Sequence, residues 1–142
     1  MRILGIDFGD KSIGLAVSDP LQITAQALAR YRVKNKKEDG EYFKKLVKRY
    51  DIEEIVIGLP LMMDGSRGHR VQKTQEFGDW LSQCLGLPIT FWDERLTTKQ
   101  ALQVLRQLKA TPQERKNAKD RISAVIILSD YLESRRIVSH DR

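Results

Sequence analysis

The stretch RILGIDFGDKSIGLAVSD, residues 2–19, has the pattern of a strand, a turn and a second strand. It contains two short apolar runs, residues 3–8 and 13–18, joined by the turn residues Gly9-Asp10-Lys11-Ser12. Two such runs around a glycine-containing turn predict a β-hairpin. Asp7 stands at the end of the first run, where a carboxylate is costly unless something pairs with it or uses it. Other acids of the chain are therefore the first candidates to join Asp7.

Outward from this hairpin, the apolar pattern predicts strands first and then alternating helices and strands. The elements are a strand over 24–33, a polar connector over 34–40, a helix over 41–50, a strand over 53–60, a loop over 61–70, a helix over 71–85, a strand over 88–94 and helices over 97–109 and 117–135. This order indicates an α/β fold with a mixed sheet, three antiparallel strands and then parallel strands, flanked by helices. We expect a single domain over residues 1–142.

The charge of the chain is unevenly distributed. Lys and Arg number 25 against 19 acids, a net charge of +6. The segment 95–121 has eight bases and two acids, so it alone equals the whole excess. Such clustering is typical of a protein that binds nucleic acid, although a solvated helix face gives the same pattern.

Composition also limits the cellular setting. Cys84 is the single cysteine, which precludes an internal disulfide and fits a reducing compartment. No apolar stretch is long enough to cross a bilayer, and the N-terminus lacks a signal-peptide pattern. We expect a cytoplasmic protein that does not associate with membranes.

Acids follow the predicted strands at the edge where sites form in open α/β sheets. Asp7, Asp93 and Glu94 all stand at carboxyl ends of predicted strands. Asp120, near the start of the last helix, offers a further carboxylate. Oxygen-only ligand sets suit Mg²⁺ or Mn²⁺, and two such ions can drive phosphodiester hydrolysis. Each acid taken singly has a structural reading in a turn or at a helix N-terminus, but together they favour a metal site.

Other chemistries lack their residues. Two histidines and one cysteine cannot form a zinc site of standard ligand count. The chain contains neither a G-x-S-x-G elbow nor a Walker A sequence.

Four segments together resemble the YqgF/RuvX family, whose members are described as pre-16S ribosomal RNA nucleases or Holliday junction resolvases. They are GIDFGDKSIGLAVSD, GLPLMMDGS, WDERLTT and KDRISAVIILSDYL, and the resemblance covers essentially the whole chain. It implies a ribonuclease H-like fold and a metal-dependent nuclease site carried by Asp7, Glu94 and Asp120. The adjacent Asp93 could act as a helper, but the family pattern favours Glu94 as the ligand. Asp10 stands where the family commonly has threonine, and an acid there would weaken phosphate approach unless it faces away.

Several polar residues are candidates for contacts with the nucleic acid. Arg95 could clamp a phosphate with both arms of its guanidinium, or instead pair with Asp93. Lys116 stands one helical turn before Asp120, where it could neutralise charge or simply face solvent. The remaining candidates are Lys119, the loop residues Ser66 and Arg70, and Lys11 in the first turn.

The main functional hypothesis is a hydrolase that cuts phosphodiester bonds with Mg²⁺ or Mn²⁺ and processes the 5′ end of pre-16S rRNA. The alternative within the same chemistry is cleavage of four-way DNA junctions, which favours a homodimer over a monomer. A non-catalytic RNA-binding module is a third hypothesis. The turn after Asp7 also resembles that of sugar kinase and actin-type ATPases, but those need two such domains.

Overall fold

The structure is a computed structural model that describes residues 1–60, 68–93 and 122–135. Its strands are β1 (Arg2–Asp7), β2 (Ser12–Ser18), β3 (Ala25–Arg32), β4 (Ile52–Leu59) and β5 (Ile89–Asp93). The helices are α1 (Lys36–Tyr50), α2 (His69–Leu85) and the helical residues 122–135, here α3. The predicted helix over 97–109 lies outside the described residues. None of the helices within the described ranges has the length and apolarity needed to cross a membrane.

The five strands form one sheet in the order β3-β2-β1-β4-β5. β1 pairs antiparallel with β2, and β2 pairs antiparallel with β3. On its other side β1 pairs parallel with β4, which pairs parallel with β5. The predicted mixed sheet is therefore confirmed, with β1 at its centre.

Two apolar clusters cover the two faces of this sheet. One face packs against α1 and α2, with members such as Leu4, Ile6 and Phe43. The other face packs against α3, with Ile3, Val56 and Leu128 among its buried residues. We call these the α1–α2 face and the α3 face. Successive residues of β1 alternate between the two, as the period of an extended strand requires.

The start of α1 corrects one prediction from the sequence. Residues 34–40 were expected to form a polar connector, but α1 begins at Lys36. Asn35 caps the helix, because its side-chain oxygen accepts a hydrogen bond of 2.9 Å from the backbone N–H of Glu38. The many charged residues of this segment and Gly40 favoured a connector over a helix that begins after a cap at Asn35. Only residues 33–35 therefore connect β3 to α1.

The backbone of α3 comes unusually close to β1 at Gly5. A Cβ atom placed on Gly5 would lie 2.7 Å from the Cβ of Leu128 and 3.1 Å from the carbonyl oxygen of Ala124. Both of those helix residues are fully buried. Only glycine therefore allows α3 to rest at this depth on the central strand.

We expect Gly5→Ala to lower the free energy of unfolding by about 1–3 kcal/mol, because the added methyl group forces the helix and the strand apart. Urea titration followed by circular dichroism measures the change. Ala27→Gly, on an exposed position of β3, is a control for changing the intrinsic strand preference. A Gly5→Ala protein as stable as the wild type would contradict the close approach.

A hydrogen-bonded pair on the α1–α2 face ties β3 to α1. The hydroxyl of Tyr31 donates a hydrogen bond of 2.5 Å to Oδ1 of Asp39, which also accepts from the backbone N–H of Lys34 at 3.0 Å. Both side chains are buried. Burial first, and then the neighbouring Asp39 carboxylate, raise the pKa of Tyr31 above its ordinary value.

This pair predicts a specific loss of stability at alkaline pH. Since the pKa of Tyr31 is raised by folding, its contribution is present below the unfolded pKa of about 10 and is lost as the pH rises above it. We expect the stability advantage of wild type over Tyr31→Phe to shrink above pH 10 by about 1 kcal/mol per pH unit. Urea titrations at pH 8 and pH 11 measure this advantage, and an unchanged difference would contradict the pairing.

Candidate active site

Asp7 is the last residue of the central strand and lies at the edge where the parallel strands β1, β4 and β5 all end. Its neighbours Ile6 and Phe8 pack on the α1–α2 face, so the side chain of Asp7 belongs to the α3 face. Asp7 is half-buried and pairs across the antiparallel ladder with Gly14. A carboxylate thus stands at the edge of the sheet that the sequence predicted for the site.

Asp93 ends β5 at the same edge but on the other face. β4 lies between β1 and β5, so the strands that carry the two acids are not neighbours. Trp92 faces α3, because its indole N–H donates a hydrogen bond of 3.2 Å to Asp130. By alternation Asp93 follows on the α1–α2 face, as Phe91 precedes it there. The side chains of Asp7 and Asp93 therefore lie on opposite faces of the sheet.

The acid in the first turn is directed toward α2. Oδ1 of Asp10 lies 3.6 Å from the ammonium of Lys73, and the two side chains are 72% and 45% exposed. An ion pair this exposed adds little stability, but it shows where the carboxylate points. Asp10 is thus turned toward the α1–α2 face and away from the side of Asp7.

Two of the predicted nucleic-acid contacts border this turn. Lys11 is exposed within it, and its carbonyl accepts a hydrogen bond of 2.9 Å from the N–H of Val33. Arg70, exposed in the first turn of α2, lines a small crevice together with Gly9 and Thr74. The turn that follows Asp7 therefore contains one of the predicted contacts, Lys11, and has another, Arg70, beside it.

Sequence reasoning missed a third base, Arg30 of β3. Its Nε and Nη2 atoms donate hydrogen bonds of 3.3 and 3.0 Å to the hydroxyl of Ser12. A Cβ placed on Gly14 would lie 2.9 Å from Nη1 of Arg30 and 3.3 Å from the Cβ of Asp7. The guanidinium and Asp7 therefore approach the same point from two sides. The available signal was Gly14 itself, since glycine inside a strand often marks close approach of another group.

The described part of α3 runs toward the end of β1 that carries Asp7. Near the start of β4, Glu54 accepts hydrogen bonds from the hydroxyl of Tyr131 and, at 3.1 Å, from Arg135. Further back along the helix, Leu128 and Ala124 contact the middle of β1 at Gly5. The C-terminal end of α3 therefore lies near the start of β1, and its N-terminal end points toward Asp7.

The other predicted site residues lie outside the described ranges. These are Glu94, Asp120, Arg95, Lys116, Lys119 and Ser66. Within residues 1–60, 68–93 and 122–135, no three His, Cys, Asp or Glu side chains gather into a metal-binding group. Asp7 is thus the one proposed ligand within the described residues, and its role, like the roles of the rest, stays a prediction.

Comparison with known proteins identifies the family. The model of the family described as "RuvX: Holliday junction resolvase" matches residues 1–134. This chain belongs to that family. The resemblance read from the four sequence segments is thereby confirmed.

Curated members of the RuvX family match over nearly the whole chain. A "Putative pre-16S rRNA nuclease" of Halothermothrix orenii is 45% identical over 93% of this chain and 94% of its own length. A protein of the same name from Koribacter versatilis is 46% identical over 96% of this chain and 89% of its own length.

Solved structures extend the likeness to the fold. The RuvC structure of Thermus thermophilus aligns with a TM-score of 0.58 at 15% identity, covering 96% of each chain. T. thermophilus RuvC in complex with a Holliday junction substrate aligns with a TM-score of 0.54 at 18% identity, also over 96% of each chain. The expected ribonuclease H-like fold of this RuvX-family member is confirmed.

Proposed function

We propose that this protein is a divalent-metal-dependent nuclease that hydrolyses phosphodiester bonds and processes the 5′ end of pre-16S rRNA. The position of Asp7 carries the proposal, because a half-buried carboxylate ends the central strand at the edge where sites form in such sheets. The names of the relatives, which match over nearly the whole chain, support the reaction and the RNA substrate.

Asp7, Glu94 and Asp120 would hold Mg²⁺ or Mn²⁺. Three carboxylates supply only oxygen atoms, which is the donor chemistry that these hard cations prefer. Bound as a pair, the ions would activate water and stabilise the charge that develops at the phosphate. The chain's own contribution is to fix Asp7 on a rigid central strand.

The geometry of β5 supports Glu94 over Asp93 as the second ligand. Trp92 belongs to the α3 face, on which the side chain of Asp7 also lies. Side chains of an extended chain alternate with a period of two, so a residue two positions after Trp92 would share its face if the chain stays extended there. That residue is Glu94, whereas Asp93 falls on the opposite face.

The direction of α3 supports Asp120 as the third ligand. Ala124 already contacts Gly5, and Asp120 precedes it by four residues. Four residues of α-helix advance about 6 Å, close to the distance of about 7 Å from Gly5 to Asp7 along a strand. Asp120 would then reach the level of Asp7 on the α3 face.

The first test is a cleavage assay with Asp7→Asn. The substrate is a single-stranded RNA that carries a ribosomal leader, incubated with Mn²⁺, with Mg²⁺ or with chelator. We expect wild-type cleavage with metal, and a loss of at least about 100-fold both in the variant and with chelator, because a ligand charge is removed. Circular dichroism verifies that the variant folds. Cleavage by Asp7→Asn at the wild-type rate would refute the site.

A matched pair of variants tests the assignment on β5. Glu94→Gln and Asp93→Asn each remove one carboxylate charge from adjacent residues. We expect Glu94→Gln to abolish metal-dependent cleavage and Asp93→Asn to keep it within a few-fold of wild type, since only Glu94 would share the face of Asp7. The rates are measured with saturating Mn²⁺. The opposite ranking would make Asp93 the ligand.

A second candidate function is cleavage of four-way DNA junctions. The description of the matching family model favours it. A four-way DNA junction is therefore included in the same assay, and the oligomeric state is measured by light scattering. Paired, symmetric nicks by a dimer would move the proposal to junction resolution, whereas a strict monomer would count against it. Binding that survives chelation without any cleavage would instead favour an RNA-binding module.

A further inference from the structure

A β-bulge directs Arg30 toward the candidate site. In the β2–β3 ladder, Ile13 pairs with Tyr31 and Leu15 pairs with Leu28. One residue of β2, Gly14, therefore opposes two residues of β3, Ala29 and Arg30. Bulges of this two-against-one kind bend a strand and redirect a side chain, and they are frequent beside active sites.

The absence of a side chain on Gly14 makes room for the guanidinium. A Cβ on Gly14 would lie 2.9 Å from Nη1 of Arg30 and 3.3 Å from the Cβ of Asp7. The bulge and the glycine thus act together, one by aiming Arg30 across β2 and the other by clearing its path. The result is a cation on the α3 face, beside the carboxylate that ends β1.

The hydroxyl of Ser12 fixes the orientation of the guanidinium. It accepts hydrogen bonds from both Nε and Nη2 of Arg30, at 3.3 and 3.0 Å. An arginine held in this way loses little further conformational entropy when it binds an anion, and its planar group matches a phosphate. The half-buried position of Arg30 also shields its charge from water more than that of a fully exposed base.

The neighbouring surface of β3 carries small side chains and a further basic residue. Ala27 and Ala29 are exposed, so only methyl groups rise from the strand there. Arg32, two residues beyond Arg30, is exposed as well and pairs with Ser12 in the ladder. Among the described residues, this part of β3 thus offers an extended polyanion two arginines, with the methyl groups of Ala27 and Ala29 beside them.

We propose that Arg30 binds a backbone phosphate of the nucleic-acid strand and holds that strand across β2 and β3 beside Asp7. This inference rests on the proposed nuclease function for its substrate class. Arg30 acts on binding and placement of the strand, while the carboxylates carry the chemistry.

The experiment measures binding in chelator, where metal-dependent cleavage is absent. Fluorescence anisotropy with a labelled single-stranded RNA gives the affinity between 50 and 200 mM KCl for wild type, Arg30→Gln, Arg30→Lys and Arg49→Gln. Arg49 is the matched control, because it is an exposed arginine in the last turn of α1, on the other face of the sheet. Thermal melts verify that every variant folds.

We expect Arg30→Gln to weaken binding about tenfold, as the loss of one charge-assisted hydrogen bond implies. The slope of log K against log salt should fall by about 0.7, the value for one phosphate contact on a single strand. Arg30→Lys should keep the slope but recover only part of the affinity, because it keeps the charge without the planar fork. Arg49→Gln should match wild type.

Two results would overturn the proposal. Arg30→Gln with the affinity and salt slope of Arg49→Gln would show that Arg30 does not contact the strand. An unchanged affinity combined with a lower Mn²⁺ requirement for cleavage would make Arg30 a counter-ion of Asp7 instead. Since the binding readout needs no catalysis, a wild type that binds but does not cut would refute the nuclease proposal separately from Arg30.

Discussion

The close contact between Gly5 and α3 determines how the helix, the central strand and Asp7 are placed relative to one another. It brings the helix backbone against the central strand, so that Leu128 and Ala124 of the helix are fully buried against the sheet. With α3 at this depth, the α3 face of β1 is fixed against the helix at Ile3 and Gly5. The carboxylate of Asp7 then ends a strand that packs between helices and pairs with a strand on each edge, which is the rigidity that the proposed metal ligand needs.

The elements of the fold could be predicted from the sequence because they depend on local pattern. The two apolar runs around Gly9 form β1 and β2. The segments predicted as the later strands contain nearly all of β3, β4 and β5. The start of α1 was wrong because composition was given more weight than the cap at Asn35. A single capping hydrogen bond outweighed a run of charged residues.

The arrangement within the site was harder to predict, since it depends on register. Alternation within one strand can be read from sequence, but the face of Asp93 relative to Asp7 depends on how β5 pairs with β4 and β4 with β1. Arg30 is the clearest case. It lies 23 residues after Asp7 in the sequence, and only the two-against-one pairing opposite Gly14 brings it near. Gly14 indicates that some group approaches the strand closely, but no local pattern indicates that the group is Arg30.

The bulge has a second consequence, which concerns association between copies. β3 is the outermost strand on its side of the described sheet, and an outermost strand presents unpaired backbone groups to any other strand that approaches. A bulge breaks the regular spacing of those groups, and the charges of Arg30 and Arg32 repel an identical edge. β3, which carries Arg30, is therefore poorly suited to pair with a strand of a second molecule and extend the sheet. A symmetric assembly of two copies would have to form through a different surface and leave this basic edge open.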